Sequence, residues 1–206
     1  KQAKNMNNQF IHRRTKLAEN LQSGIAVIPT AKEVVRNKDA HFPYRFDSYF
    51  HYLTGFGEPE SVIVIIGGKT PSSILFCRGK NKEKEIWNGF RHGPEAAKNL
   101  LHCDEAYSID EIDQILPQLI ENKDAIYTPL GIDVSWDQQI MGWLNQTRSR
   151  VREGIAAPEG LIDVRGMLDE MRLFKDPSEL DTMRQAAKIS AEAHVLAMTA
   201  TKPGKY

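Results

Sequence analysis

The chain has 206 residues, 41% of them apolar and 26% charged, with 27 basic side chains against 27 acidic ones. That composition excludes disorder over most of the length, and the zero net charge argues against an electrostatic nucleic-acid binder. No apolar run approaches the roughly 18–20 residues that span a bilayer, and the polar start from Lys1 to Gln9 lacks a signal-peptide pattern.

The first predicted element is a helix. Phe10, Ile11, Leu17, Ala18 and Leu21 recur at helical spacing, and Gly24 stops it. Ile25 to Ile28 reads as a short strand ended by Pro29. A polar stretch from Ala31 to Arg45 leads into an aromatic cluster, Phe42, Tyr44, Phe46, Tyr49, Phe50, Tyr52 and Phe56, expected to be core. Asp47 caps a short helix there and Gly55 ends it. Val62 to Ile66 is the most apolar run and fits a central strand covered on both faces. Gly67-Gly68-Lys69-Thr70 turns the chain into a second strand, Ser72 to Arg78, so the two form a hairpin. Gly79 to Glu85 reads as a charged loop with Trp87 just beyond it, where Asn88 and Gly89 suggest a tip.

Ser108 and Glu111 form a capping box ahead of Ile109, Ile112, Ile115 and Leu119, with Pro117 placed to kink that helix or shift its start. Ala125 to Leu130 is a strand. Ser135 and Gln138 suggest a second capping box for a helix holding Trp136, Ile140, Trp143 and Leu144. Gly154 to Pro158 looks like a domain exit. The last helix has Asp176 as N-cap, Pro177 at its first position and Glu179 three residues after the cap, with Lys202-Pro203-Gly204 at its end. Strands that alternate with helices, plus one hairpin, predict an α/β fold with a mixed β-sheet flanked by helices.

Self-sufficient chemistry is not visible in these residues. Gly67-Gly68-Lys69-Thr70 lacks the first glycine of a phosphate loop and is explained by the hairpin. None of the six histidines pairs in a metal-binding spacing. Asp113 and Asp124 stand eleven apart, a spacing some dinuclear metal enzymes use, but no clustered His and Glu follow. There is no G-x-S-x-G elbow. Cys77 and Cys103 form no CxxC motif; Cys77 reads as a buried free thiol, and this cysteine usage favours the cytoplasm.

Several segments resemble a known family. They are Pro43 to Phe50; Tyr52 to Phe56, with Glu58-Pro59-Glu60; Glu85 to Gly89, with Arg91 and Gly93; and Glu170 to Leu180, with Met183-Arg184 and Ala186-Ala187. In this order they are similar to the amino-terminal part of aminopeptidase P, the Xaa-Pro aminopeptidase, within the creatinase and prolidase group. The resemblance implies two domains, an amino-terminal α/β domain over 1–160 and, over 161–206, a linker and the first helix of a "pita-bread" catalytic domain. It also implies two metal ions, manganese in this branch, held by two Asp, one His and two Glu beyond Tyr206. There they activate a water that attacks the peptide bond before proline. No metal is expected in residues 1–206, and the chain alone is expected to be inactive.

Three residues are implied to reach the substrate cleft. Trp87 matches a tryptophan that one subunit lends to a neighbour's pocket in tetrameric members, where an indole offers a flat apolar wall. Asp39 and Arg152 match an acidic and a basic position near the cleft, suited to a bidentate pair. Arg172 and Lys175 fall at the domain junction. The implied partners are peptides with proline at the second position and further copies of the chain, with neither nucleic acid nor membrane. Prolidase, which takes only dipeptides, creatinase, and a non-catalytic protein-binding module derived from the same fold remain alternatives.

Overall fold

The computed structural model describes residues 2–204, with side chains from residue 8 onward. Lys1, Lys205 and Tyr206, at the outer ends of the two expected domains, lie outside the described residues. The chain divides into two units, one running to Leu168 and one starting at Asp169.

The first unit holds α1 (Gln2–Leu21), β1 (Ile25–Pro29), β2 (Val35–Asn37), β3 (Ala40–His41), α2 (Ser48–Thr54), β4 (Val62–Ile66), β5 (Ser72–Cys77), α3 (Lys82–Asn88), α4 (Pro94–Leu101), β6 (Glu105–Ser108), α5 (Ile112–Leu119), β7 (Ala125–Thr128), α6 (Val134–Ser149) and β8 (Gly160–Asp163). α7 (Arg165–Leu173) crosses the division, and α8 (Pro177–Ala200) belongs to the second unit. Six strands form one sheet in the order β6-β5-β4-β1-β7-β8. β4 runs antiparallel to β1 and β5, and the other pairs are parallel. The expected mixed sheet flanked by helices is present.

Burial explains why the central strands are apolar at every position. Ile25 to Ile28 and Val62 to Ile65 are buried on both faces. One face carries Ile25, Val27, Val64 and Phe76 against Ile112 and Leu116 of α5 and Ile140, Trp143 and Leu144 of α6. Alternate residues such as Ala26 and Ile28 point the other way, where α1 and α2 lie against β1 and β4, and α4 against β5. The β4–β5 hairpin closes between Ile66 and Ser72. A Cβ on Gly67 would lie 2.4 Å from the Gln22 carbonyl oxygen, so glycine is required there by backbone packing.

The caps sort the expectations. Asp47 accepts the Tyr49 and Phe50 N–H groups, both at 2.8 Å, and Gly55 ends α2 with φ of 66°. The Ser108/Glu111 box opens a 3-10 turn over Ile109–Glu111 that leads into α5, with Pro117 inside that helix. For α6 the cap is Asp133, not Ser135: its carboxylate accepts Ser135 N–H at 2.9 Å and Trp136 N–H at 3.4 Å. The aromatic cluster is only partly core, since Phe50 and Phe56 are buried while Phe42 is half exposed.

The end of the first unit adds to the sheet: Gly160–Asp163 is a strand paired with β7, and α7 follows it before α8. In the second unit, Asp176 accepts N–H from Ser178 and Glu179, both at 2.9 Å, and Glu179 accepts from Asp176 N–H at 2.9 Å. α8 presents Leu180, Met183, Ile189, Leu196 and Met198 as exposed side chains.

Candidate functional site

The residues singled out for the cleft stand on three separate elements. Trp87 is on α3, a helix opened by Asn81, whose side chain accepts Lys84 N–H at 3.0 Å. The charged stretch read as a loop enters this helix from Lys82 onward, behind the Asn81 cap. Trp87 is 86% exposed, and Ile86 and Phe90 beside it are also exposed. Asp39 lies at the exposed turn between β2 and β3, where its N–H and that of Ala40 donate to Asn37 Oδ1. Arg152 is exposed on the 3-10 turn Val151–Glu153 after α6. Among the described residues no ion pair joins Asp39 to Arg152, which stand on separate elements.

Interactions that spacing does not reveal hold the segment around Trp87. Lys80 Nζ lies 2.9 Å from Glu85 Oε1 and donates to the Arg91 carbonyl at 2.6 Å. Lys80, and then the Arg91 N–H, hold the Glu85 carboxyl below the usual carboxylate range. Beneath them Glu58, 8% exposed, accepts the His92 N–H at 2.8 Å and meets His92 Nδ1 at 2.5 Å, with Arg78 at 3.4 Å. These residues lie 20 to 34 positions apart in sequence. Only the Glu58-Pro59-Glu60 and Arg91–Gly93 motifs mark them.

A second feature sits at the carboxyl end of β1, where α/β sheets present their ligand crevices. A cavity of about 670 Å³ is lined by Lys32, Glu33, Asp113, Trp136 and Trp143, among others. Another of about 520 Å³ is lined by Pro29, Asp47, Pro129, Ile132, Val134 and Trp136. Lys32 crosses this end, 2.6 Å from Asp133, and Tyr44 donates its hydroxyl to the Ala31 carbonyl at 3.1 Å. Burial raises the Tyr44 pKa, so the phenol stays protonated.

No group here is set up as a nucleophile or a metal ligand. Burial, then the nearby Glu58 charge, pushes the Cys77 thiol up to about 12, and burial also raises Cys103. Asp113 accepts the Trp143 indole N–H and Asp124 accepts from the Ser23 hydroxyl. Among the described residues, no three of His, Cys, Asp or Glu are gathered where a metal ion would sit.

Residues 10–127 match the family described as Aminopeptidase P, N-terminal domain. The chain belongs to the aminopeptidase P family. It is 40% identical over 201 residues to the Xaa-Pro aminopeptidase of Escherichia coli, covering 96% of this chain and 46% of that protein. It is 36% identical to that of Haemophilus influenzae, over 96% of this chain and 44% of the other. The structure of aminopeptidase P from E. coli in its low-pH form superposes with a TM-score of 0.94 at 38% identity, covering 97% of this chain and 46% of that one. Pseudomonas aeruginosa aminopeptidase PepP gives 0.93 at 39%, with the same coverage of 97% and 46%. The chain thus spans about half the length of the curated relatives it matches. Among its described residues no helix is long and apolar enough to cross a membrane.

Proposed function

We propose that this chain is the amino-terminal part of a metallo-aminopeptidase that releases the residue preceding a proline at position two. The observation that carries the reading is 40% identity along 96% of the chain to a protein named Xaa-Pro aminopeptidase. In this reading residues 1–160 shape the substrate cleft and support self-association, and residues 161–206 supply a linker and the first helix of the pita-bread catalytic domain. Trp87 supplies a flat wall to the substrate site of a neighbouring copy. Its 86% exposure supports that role over core packing. Asp39 and Arg152 contribute opposite charges at the cleft, each on its own element. The two manganese ions belong to the same reading and have their ligands outside this chain; one solved relative is a zinc-substituted E. coli aminopeptidase P in complex with product. A cytoplasmic setting is supported by the two free buried thiols.

The test is peptidase activity. The full-length parent with manganese should release alanine from an Ala-Pro-X peptide. The 206-residue chain alone should stay at the no-enzyme control. Turnover by the chain alone, or a parent that cleaves only Xaa-Pro dipeptides, would sink the reading.

A further inference from the structure

The chain leaves the sheet after β5 and returns at α4, and α3 rides on this excursion. Its neck is tight: Gly93 has φ of +74°, and a Cβ there would lie 3.3 Å from Lys80 Cβ. Across the neck, one carboxylate oxygen joins three points of the excursion. Glu85 Oε1 pairs with Lys80 Nζ at 2.9 Å and accepts the Arg91 N–H at 2.8 Å, while the same Lys80 donates to the Arg91 carbonyl at 2.6 Å. Lys80 also lies 4.0 Å from the Phe90 ring centroid. The far end is anchored by His92 on buried Glu58, through the N–H at 2.8 Å.

This clasp matters because, apart from its Asn81 cap, α3 has little tertiary support among the described residues. The helix has seven residues and no buried side chain, and a helix of that length is unstable in water without tertiary support. Glu85 and Trp87 are two residues apart, about 200° around the helix axis. The clasp therefore grips the inner side, where Glu85 is 17% exposed, and leaves the indole directed outward at 86% exposure.

We propose that Glu85 is a positioning residue: with Lys80 it closes residues 80–91 into a rigid excursion that presents the Trp87 indole to substrate. The substrate half of this statement rests on the cleft reading of Trp87 given above. A wall that is already ordered binds without the cost of ordering it. An indole that touches substrate equally in ground and transition states acts on KM more than on kcat.

Two measurements test this. The first is limited trypsin cleavage of the 206-residue chain at Lys82 and Lys84, read by mass spectrometry. Glu85→Ala and Lys80→Met should be cut at least roughly fivefold faster than wild type, as expected for local opening at unchanged global stability. Glu85→Gln, which keeps an acceptor for the Arg91 N–H, should fall between, and Lys80→Arg should stay near wild type. The second is steady-state kinetics of the full-length parent on Ala-Pro-X. There Glu85→Ala should raise KM roughly fivefold with kcat within about twofold, and Lys80→Arg should leave KM near wild type. Unchanged cleavage in Glu85→Ala overturns the clasp whatever the kinetics show. Faster cleavage with unchanged KM, in a parent where Trp87→Ala does raise KM, overturns the positioning role. If Trp87→Ala leaves the kinetics untouched, the cleft reading fails and takes the substrate half of the proposal with it, while the cleavage series still decides the clasp.

Discussion

Trp143 donates its indole N–H to Asp113 Oδ1 at 2.9 Å, which fastens α6 to α5 over one face of the sheet. Trp143 is 4% exposed, so its N–H relies mainly on this acceptor. Asp113→Ala should cost about 1–3 kcal/mol, the penalty for leaving a buried donor unpaired. Asp113→Asn keeps an acceptor and should cost under about 1 kcal/mol. Urea unfolding followed by tryptophan fluorescence separates the two; equal losses would show that the bond contributes little.

Arg14 should be among the least replaceable polar residues. Its guanidinium, 4% exposed, donates to the carbonyls of Leu53 at 3.0 Å, Leu101 at 2.6 Å and His102 at 3.4 Å. Burial lowers its pKa, yet arginine remains a cation. Arg14→Met strips donors from three carbonyls at the meeting of α1, α2 and α4, for an expected loss of roughly 3–5 kcal/mol. Calorimetry should then show the main transition lowered by roughly 6–20 °C. Arg14→Lys loses the planar fork and should fall between.

Acid should weaken the start of α6. Lys32, then Ser135, hold the Asp133 carboxyl down to about 2. A carboxylate depressed in the folded state stabilises above its unfolded pKa of about 3.9, and that contribution is lost as pH falls through the folded value. The window is therefore roughly pH 5 to 2. The side chains are 69% and 37% exposed, so solvent screening keeps the pair under about 1 kcal/mol. Asp133→Asn should flatten stability against pH over that window, and added salt should do part of the same in wild type. Asp133→Ala, which also removes the cap, should cost about 1 kcal/mol at neutral pH.

Trp87→Ala should leave stability within about 0.5 kcal/mol, as for other surface changes. Trp136 and Trp143 are 7% and 4% exposed against 86% for Trp87, so iodide should quench chiefly Trp87. The variant should lose most of the quenchable emission. A melting temperature lowered by more than about 4 °C would return Trp87 to a packing role.

Local chemistry made much of this fold readable. Asp176-Pro177 with Glu179, Asp47 with Gly55, and the glycines between two apolar runs each satisfy backbone groups within a few residues. Where the deciding partner is remote, the sequence is silent. β8 has only Leu161 and Ile162 as apolar signal and is a strand because β7 accepts it. Asp133 outcompetes Ser135 because its carboxylate reaches two amides and also meets Lys32, about a hundred residues away. α4 follows Gly93-Pro94, a start signal overshadowed by the charged run before it. Of the candidate site, Trp87 was marked by the family resemblance and by the charged residues before it. The anchor beneath its clasp joins Glu58 to His92 across 34 positions, and no periodicity encodes that.

The place of β1 in the sheet has a consequence for synthesis. Its antiparallel partner β4 emerges soon after it, but its parallel partner β7 starts only at Ala125. At roughly 5–20 residues per second, translating the intervening ~100 residues takes roughly 5–20 s. Through that interval the nascent chain carries an unpaired edge made of Ile25, Ala26, Val27 and Ile28. Such an edge pairs readily with other chains, and the arrival of β7 against Ile25 and Ala26 covers it.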